Sequence, residues 1–217
     1  MNPRIFKNYG RYKITYPFGT RDIFGKTEHH SGVDLVAVAE NGGAISDWVV
    51  ALASGEVIEA GYNSRSGYYC KLRHDETLVT LYCHFKKGTL TVAKGDKVEK
   101  GATLGYMGST GRSTGAHLHL GISLFGEWVD PAEYFDKELS EVNKLTVGTE
   151  RKMLKRGALG GEVRLLQTLL NFHGAKIECD ASFGPATQKA LIAFQKSRNL
   201  IGDGIADAEV WQELLKI

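Results

Sequence analysis

The spacing of apolar residues changes near residue 140 of this 217-residue chain, and the change limits the folds that the sequence can adopt. Before that point, apolar and polar residues alternate in short runs separated by glycine-containing turns, as in half-buried strands. Beyond it, apolar residues recur at helical spacing in three stretches, which are residues 161–172, 185–196 and 208–215. The two periods predict a β-rich domain followed by a small bundle of three helices.

We place the boundary between these domains in a polar, mixed stretch of the chain. We predict a first domain over residues 1–137, a linker over residues 138–150 and a second domain over residues 151–217. Both domains carry the same small excess of positive charge, within a formal net charge of +2. Neither therefore has the basic character of a nucleic-acid-binding domain, and we expect no nucleic acid as a partner.

The sequence also indicates the cellular compartment in which the protein is made. The N-terminal residues contain no apolar segment of the kind found in secretory signals, and no run approaches the roughly 18 apolar residues of a membrane helix. We therefore expect synthesis to end in the cytoplasm and expect no membrane span. The three cysteines, Cys70, Cys83 and Cys179, are too few to imply a disulfide framework.

Two histidines stand two residues apart in the alternating stretch 115–122. In a strand, His117 and His119 would point to one face, while Leu118 and Leu120 would point to the other. Two neighbouring imidazoles suit a metal site or a proton-transfer pair. A strand with two exposed histidines is the alternative that this pair alone leaves open.

A second polar group of residues occurs earlier, within the run His30-Ser31-Gly32-Val33-Asp34. In an extended backbone His30 and Asp34 share one side, and a helix would also bring residues four apart together. Gly32 and the β-branched Val33 favour the extended form. Either way, one imidazole and one carboxylate face the same point. His29 would face away, as a surface or packing residue, although it competes with His30 as a ligand.

The stretches 68–73 and 78–85 are predicted to be strands joined by a hairpin turn. Alternation divides the second of them into two faces, Val79-Leu81-Cys83 and Thr80-Tyr82-His84. The first face is the more apolar, so Cys83 is predicted to pack in the core rather than bind a metal. His84 is predicted to lie on the less apolar face.

The stretch 105–115, rich in Gly, Ser and Thr, leads the chain to His117. It lacks the lysine and the spacing of a phosphate-binding loop, so we interpret it as the approach to a substrate groove.

Five polar side chains on extended segments can be combined into one site: His30, Asp34, His84, His117 and His119. Catalytic zinc typically takes three protein ligands and leaves one position for water, which two imidazoles and one carboxylate can satisfy. Zinc can lower the pKa of bound water to about 7 and polarise a carbonyl group. Two further histidines can then accept and donate protons near neutral pH.

Several motifs, taken in order, resemble the M23 (lysostaphin-type) zinc metallopeptidases over roughly residues 15–132. They are His30-x-x-x-Asp34, Tyr82-Cys83-His84-Phe85 and Ser113-Thr114-Gly115-Ala116-His117-Leu118-His119, with Phe18-Gly19-x-Arg21, Lys94-Gly95-Asp96-x-Val98 and Gly108-Ser109-Thr110-Gly111. The resemblance implies a mainly antiparallel β fold with a groove and cleavage of peptide bonds in bacterial peptidoglycan. It also implies Zn²⁺ bound by His30, Asp34 and His119, with His84 and His117 as catalytic residues beside the metal. No tyrosine is assigned to the site.

Residues 154–215 resemble a three-helix peptidoglycan-binding module. The motifs are Leu154-Lys155-Arg156-Gly157, Gly161-Glu162-Val163-x-x-Leu166-Gln167-x-x-Leu170, Phe183-Gly184-Pro185-x-Thr187, Phe194-Gln195 and Asp203-Gly204-Ile205. One departure is Ala181, where the family usually has glycine, and we expect it to alter a turn. Phe194 and Trp211 are interpreted as core residues.

Together the two resemblances imply a zinc metalloendopeptidase that lyses the cell wall while its own module keeps it on peptidoglycan. The domain pair without a signal peptide suggests a monomeric phage endolysin, made in the host cytoplasm and acting on the wall after release. A virion-associated lysin is the alternative origin. Two other functions are open, a non-catalytic wall-binding protein built on a decayed peptidase and a wall carboxypeptidase. For the latter we expect a Glu-x-x-His element, which this sequence lacks.

Overall fold

The computed structural model describes residues 4–23, 25–135 and 151–216. The chain divides into two compact units, and the boundary between them lies between residues 142 and 143. The linker predicted at residues 138–150 lies outside the described residues. In the part of the chain that the structure describes, no helix is both long and apolar enough to cross a membrane.

The described part of the first unit consists of strands and one 3₁₀ turn. The strands are β1 Tyr12–Tyr16, β2 Gly19–Ile23, β3 Lys26–His30, β4 Val33–Val38, β5 Ala44–Ile45, β6 Trp48–Val50, β7 Gly55–Asn63, β8 Gly67–Arg73, β9 Leu78–Phe85, β10 Lys97–Val98, β11 Thr103–Tyr106, β12 Leu118–Leu124 and β13 Glu127–Val129. The 3₁₀ turn, Pro131–Tyr134, is capped by the Asp130 carboxylate, which accepts a hydrogen bond from the backbone N–H of Ala132.

Nine of these strands form one sheet, in which every pair is antiparallel. Its main path runs in the order β1-β4-β12-β9-β8-β7-β10, with β5 paired to β4 and β13 paired to β12. Strands β2 and β3 pair with each other, and β6 pairs with β11. The predicted hairpin of residues 68–73 and 78–85 is the β8–β9 pair, and the prediction of a mainly antiparallel domain is confirmed.

Alternation along β4 and β12 separates the core of this unit from its polar groove. Leu35, Leu118 and Leu120 are fully buried in the hydrophobic core. Burying a side chain of this size contributes about 1.5–3 kcal/mol. Asp34 and His119 alternate with these leucines and are paired across the two strands. Packing of the leucines therefore sets the register that brings the two polar residues together.

The second unit contains three helices, α1 Gly161–Phe172, α2 Pro185–Ser197 and α3 Ala208–Leu214. Their bounds agree with the predicted helices to within one residue. Pro185 occupies the first turn of α2, where its missing N–H costs no helical hydrogen bond. Phe194 and Trp211 are buried, which confirms their interpretation as core residues.

A glutamine side chain organises the turn before α2. The amide nitrogen of Gln167 donates to Asp180 Oδ1 at 2.7 Å and to the backbone oxygen of Ser182 at 3.1 Å. Its amide oxygen accepts from the backbone N–H of Ala181 at 3.0 Å. The Asp180 carboxylate also accepts from the N–H of Ser182. The turn is therefore held by side-chain hydrogen bonds from α1.

The same arrangement occurs a second time, before α3. Gln195 donates to Asp203 Oδ1 at 2.8 Å and to the Ile205 oxygen at 3.0 Å, and it accepts from the N–H of Gly204 at 2.9 Å. Gly204 has φ 72°, and the equivalent residue, Ala181, has φ 61°. The expectation that alanine alters this turn is therefore wrong. Ala181 keeps the left-handed conformation, which costs a non-glycine residue roughly 1–2 kcal/mol.

Candidate metal centre and groove

Three side chains of the first unit direct one ligand atom each to a common point. His30 Nε2 lies 3.1 Å from Asp34 Oδ1, His119 Nδ1 lies 3.0 Å from the same oxygen, and the two nitrogens are 2.9 Å apart. All three residues are at most 9% exposed. Among the described residues they are the group whose ligand atoms could hold a metal ion, and we refer to them as the metal-binding group. The structure thus brings together the three residues predicted as zinc ligands.

A hydrogen bond sets the orientation of the His30 ring. Its Nδ1 lies 2.7 Å from the backbone oxygen of Pro17, which assigns the proton to Nδ1 and leaves a lone pair on Nε2. Second partners of this kind are usual for metal-binding histidines. The Nε2 lone pair faces the carboxylate oxygen of Asp34, which is also an acceptor. A cation between them would turn this repulsion into attraction.

The three separations fit zinc. A tetrahedral zinc ion with bonds of about 2.0–2.1 Å separates neighbouring ligand atoms by about 3.3–3.4 Å, a few tenths of an ångström more than the distances here. A single proton on His119 can serve only one or two of the three contacts. An ion that contacts all three atoms would satisfy the whole group.

The protonation of these residues agrees with that role. Burial raises the pKa of Asp34, but the hydrogen bond from His119 and the electrostatic influence of the His30 and His117 imidazoles outweigh it and hold this pKa well below its usual range. Burial lowers the pKa of His119, against the opposing effect of Asp34. A carboxylate and a neutral imidazole are the forms that bind metals.

His84 and His117 flank this group. His117 Nε2 lies 3.6 Å from Asp34 Oδ1, and its Nδ1 lies 2.8 Å from the Gly115 oxygen. The centres of the His84 and His117 rings are 4.6 Å apart. Nδ1 of His84 donates to the backbone oxygen of Thr110 at 2.7 Å, so its Nε2 is free to accept a proton. All five predicted site residues therefore lie in one place.

Comparison with known sequences identifies both parts of the chain. Residues 28–131 match the model of peptidase family M23. The chain contains an M23 peptidase domain. Residues 160–214 match the family described as "Putative peptidoglycan binding domain", in agreement with the resemblance of the helical unit.

Curated relatives of the M23 domain include two proteins named for action on peptidoglycan or peptides. The peptidoglycan DD-endopeptidase ShyC of Vibrio cholerae is 32% identical over 124 residues, which are 57% of this chain and 26% of ShyC. The DD-carboxypeptidase/endopeptidase Mpg of Neisseria meningitidis is 31% identical over 144 residues, or 64% of this chain and 31% of Mpg. The chain thus spans about a quarter to a third of the length of these relatives.

Among solved structures, the SpoIIQ–SpoIIIAH pore-forming complex contains a chain of the same fold. The TM-score is 0.56 with 22% identity, over 66% of this chain and 96% of that one. At this identity the similarity concerns the fold alone.

The metal-binding group of the M23 domain lies at the base of a groove of about 620 Å³. Residues 111–114 line it, which confirms that the glycine-rich stretch borders a groove. Tyr16 also lines the groove, with its ring edge-on to His30 at 5.9 Å between centres. Sequence reasoning assigned no tyrosine here, because Tyr16 lies outside every motif. His29 is exposed and packs edge-on against Phe18, outside the metal-binding group.

The face assignment along β9 was wrong. Tyr82 is fully buried in the hydrophobic core, whereas Leu81 and Cys83 line the groove of the M23 domain. Cys83 is not one of the three grouped ligands, and burial raises the pKa of its thiol to about 12. Strict alternation would then send His84 to the core. Its left-handed φ of 65° instead shifts the pattern, so that His84 faces the groove and Phe85 enters the core.

Thr110 maintains this unusual position of His84. Its backbone oxygen accepts from His84 Nδ1, and its hydroxyl accepts from the Tyr68 N–H at 3.0 Å and donates to the Phe85 oxygen at 2.7 Å. The backbone N–H of His84 donates to the Ser66 oxygen at 2.9 Å. Thr110 is thus a positioning residue. The motif Gly108-Ser109-Thr110-Gly111 contains it but gave no indication of this role, because its contact to His84 is made by the main chain.

Two glycines allow the loops around His84 to touch. Gly67 and Gly111 both have positive φ, 67° and 75°. A Cβ on Gly67 would lie 2.3 Å from the Thr110 oxygen, and one on Gly111 would lie 2.2 Å from the Gly67 nitrogen. Backbone therefore contacts backbone here, which only glycine permits.

Gly32 has a similar function on the metal side. An added Cβ would lie 2.3 Å from the backbone oxygen of Leu120 and 2.9 Å from Nε2 of His119. Strand β12 can approach the His30–Asp34 segment only because this side chain is absent.

Proposed function

We propose that this protein is a zinc metalloendopeptidase that hydrolyses peptide bonds in bacterial peptidoglycan. The observation that carries the proposal is the buried group of His30, Asp34 and His119, flanked by the imidazoles of His84 and His117. The family match of the domain and the names of its curated relatives support the same substrate.

His30, Asp34 and His119 would hold the zinc ion, which when bound lowers the pKa of a water molecule and polarises the scissile carbonyl. The chain's own contribution is proton transfer. Burial, together with the charges of His117 and His119, lowers the pKa of His84 to about 4 despite its hydrogen bond to Thr110. His84 is therefore neutral at pH 7, with Nε2 ready to accept a proton. His117 presents a second Nε2 beside Asp34, and between them the two rings can take up a proton and return it to the leaving amine.

Metal dependence is the first test of this function. Purified protein should release soluble fragments from purified peptidoglycan, a chelator should stop the release, and added Zn²⁺ should restore it. His119→Ala should lose both zinc and activity. His84→Ala should keep zinc, measured by atomic absorption, and lose most activity. Chelator-resistant digestion would contradict the proposal, and loss of zinc from His84→Ala would contradict the division into ligands and proton carriers.

The bond that is cut is a separate question. The name of Mpg joins carboxypeptidase and endopeptidase activities, so the lack of a Glu-x-x-His element is a weak argument against a carboxypeptidase. Mass spectrometry of the new amino and carboxyl termini in digested peptidoglycan separates the two. Internal cross-links cut in the digest support an endopeptidase, whereas released single amino acids support a carboxypeptidase.

A non-catalytic wall-binding protein built on a decayed peptidase is the second candidate that the sequence leaves open. The occupied ligand positions favour the enzyme. Purified protein without metal and without activity would favour the alternative.

The helical unit is proposed to hold the enzyme on the wall, where binding raises the local substrate concentration. Deleting residues 140–217 should weaken binding to insoluble peptidoglycan more than cleavage of a small soluble peptide. The pairing of the two domains also suits a lytic enzyme that acts on the wall as a monomer, such as a phage endolysin. Its production together with a membrane pore protein should then lyse cells, and production without the pore should not.

A further inference from the structure

Two arginines line the same part of the groove. Arg65 lies in the turn between β7 and β8, and Arg112 lies in the loop that leads to β12. The backbone N–H of Arg112 donates to the Arg65 oxygen at 3.0 Å, beside the contact between Gly67 and Gly111. The neighbour of Arg65, Ser66, binds the backbone of His84. Main-chain hydrogen bonds therefore connect the two loops that carry Arg65 and Arg112 to the His84 side of the site.

The two side chains differ in their partners. Arg112 forms an ion pair with Glu28, at 3.0 Å. Arg65 is exposed, and its guanidinium has no carboxylate partner among the described residues. Arg73, on the neighbouring strand, is paired with Glu56 at 2.9 Å. Arg65 is thus an unpaired cation at the groove, and Arg73 is a paired cation that does not line it.

The acidic groups that line the groove are already engaged. Asp34 belongs to the metal-binding group, and Glu28 binds Arg112. Asp22 accepts a hydrogen bond from the Thr27 hydroxyl at 2.7 Å. Among the described residues that line the groove, Arg65 therefore offers a substrate a guanidinium without a carboxylate partner. This group matches a carboxylate in charge and, through its planar fork of N–H donors, in shape.

Resting on the proposed function, we infer that Arg65 binds a free carboxylate of the peptide substrate on the His84 side of the scissile bond. Peptidoglycan peptides with that carboxyl group free are then the preferred substrates, and peptides in which it is amidated are poor ones. Arg65 is a specificity residue, because it selects the substrate without taking part in the proton transfers. Arg112 stays paired with Glu28 and supports the loop.

The test compares two forms of one cross-linked peptidoglycan peptide dimer, with the carboxyl groups free or amidated. Wild-type protein should show a kcat/KM about 10–100-fold higher for the free acid, the range of one charge-assisted hydrogen-bonded contact. Arg65→Gln should lose this preference by lowering kcat/KM for the acid alone. Arg65→Lys should recover part of it. Arg73→Gln is the matched control, since it removes the same charge outside the groove and should leave the preference intact.

The possible outcomes distinguish a failure of the inference about Arg65 from a failure of the proposed function. If wild-type protein cleaves both forms at equal rates and in a zinc-dependent way, the role inferred for Arg65 is wrong and the proposed peptidase activity is supported. An equal loss of both activities in Arg65→Gln also overturns it, because that result indicates a structural effect. Cleavage of neither form by zinc-loaded wild-type protein overturns the proposed function, and the inference with it.

Discussion

The backbone oxygen of Thr110 accepts a hydrogen bond from Nδ1 of His84 at 2.7 Å, while the Thr110 hydroxyl binds the main chain of Phe85, next to His84 on β9, and of Tyr68 on the neighbouring strand β8. Thr110 therefore sets the tautomer and the direction of the His84 imidazole, which we propose to be catalytic. This is the support that a strained backbone at a functional residue requires.

Thr110→Val keeps the shape of the side chain and removes both hydroxyl contacts. We expect kcat on a soluble peptide substrate to fall about 10–100-fold, because small displacements of a catalytic group cost this much, with little change in KM. Zinc content should be unchanged. Thr110→Ser retains the hydroxyl and should retain most of the activity. A loss of zinc, or an equal loss in the serine variant, would show that Thr110 acts on the fold rather than on His84.

Gly32→Ala should weaken zinc binding without changing any ligand. Its Cβ would lie 2.3 Å from the Leu120 oxygen, so β12 must move and carry His119 away from Asp34. We expect at least tenfold weaker zinc binding, the scale reported for disturbed partners of metal ligands. Gly61→Ala is the control, since a Cβ there meets nothing within 4 Å. Competition with a fluorescent zinc chelator measures both. Wild-type affinity in Gly32→Ala would show that the strands adjust.

The sequence allowed the metal-binding group and the elements around it to be predicted, because strand alternation and helix periodicity depend on nearby residues. Asp34 and His119 face one point since leucines on the same strands must be buried. The faces of β9 could not be predicted in this way. His84 reaches the groove through a left-handed backbone that is stabilised by Thr110, 26 residues further along the chain. The positions of Arg65 and Tyr16 could not be predicted for a related reason, since only folding of the chain brings these residues to the groove.

Stability of the M23 domain should fall with decreasing pH in part through His74. Its ring nitrogens bind the Ser54 oxygen at 2.8 Å and the Thr80 hydroxyl at 2.7 Å. Burial lowers its pKa, although the bond to Ser54 and the charge of Asp75 act in the opposite direction.

Because the folded pKa of His74 is depressed, its stabilising contribution is fully present above the unfolded value of about 6.5 and is lost as the pH falls towards the folded value. The glutamine side chain in His74→Gln cannot titrate. This variant should therefore show a smaller loss of Tm between pH 8 and pH 5.5 than wild-type protein. Calorimetry of zinc-loaded samples measures both slopes. Since the metal ligands are common to both proteins, their titration cancels in the difference, and equal slopes would exclude His74.

Ala181 and Gly204 offer a paired test of backbone strain in the helical unit, because they occupy equivalent left-handed positions. Ala181→Gly should raise the free energy of unfolding by about 0.5–1 kcal/mol, which is the relief of the left-handed conformation less the entropy that glycine adds to the unfolded chain. Gly204→Ala should lower it by more than this amount. There the new Cβ is strained and also lies 2.9 Å from Cγ of Gln188. Urea unfolding followed by circular dichroism at 222 nm reports on α1 to α3, which are the α-helices of the described residues. If Ala181→Gly destabilised the unit, the turn would depend on the alanine methyl group rather than on its hydrogen bonds to Gln167 and Asp180.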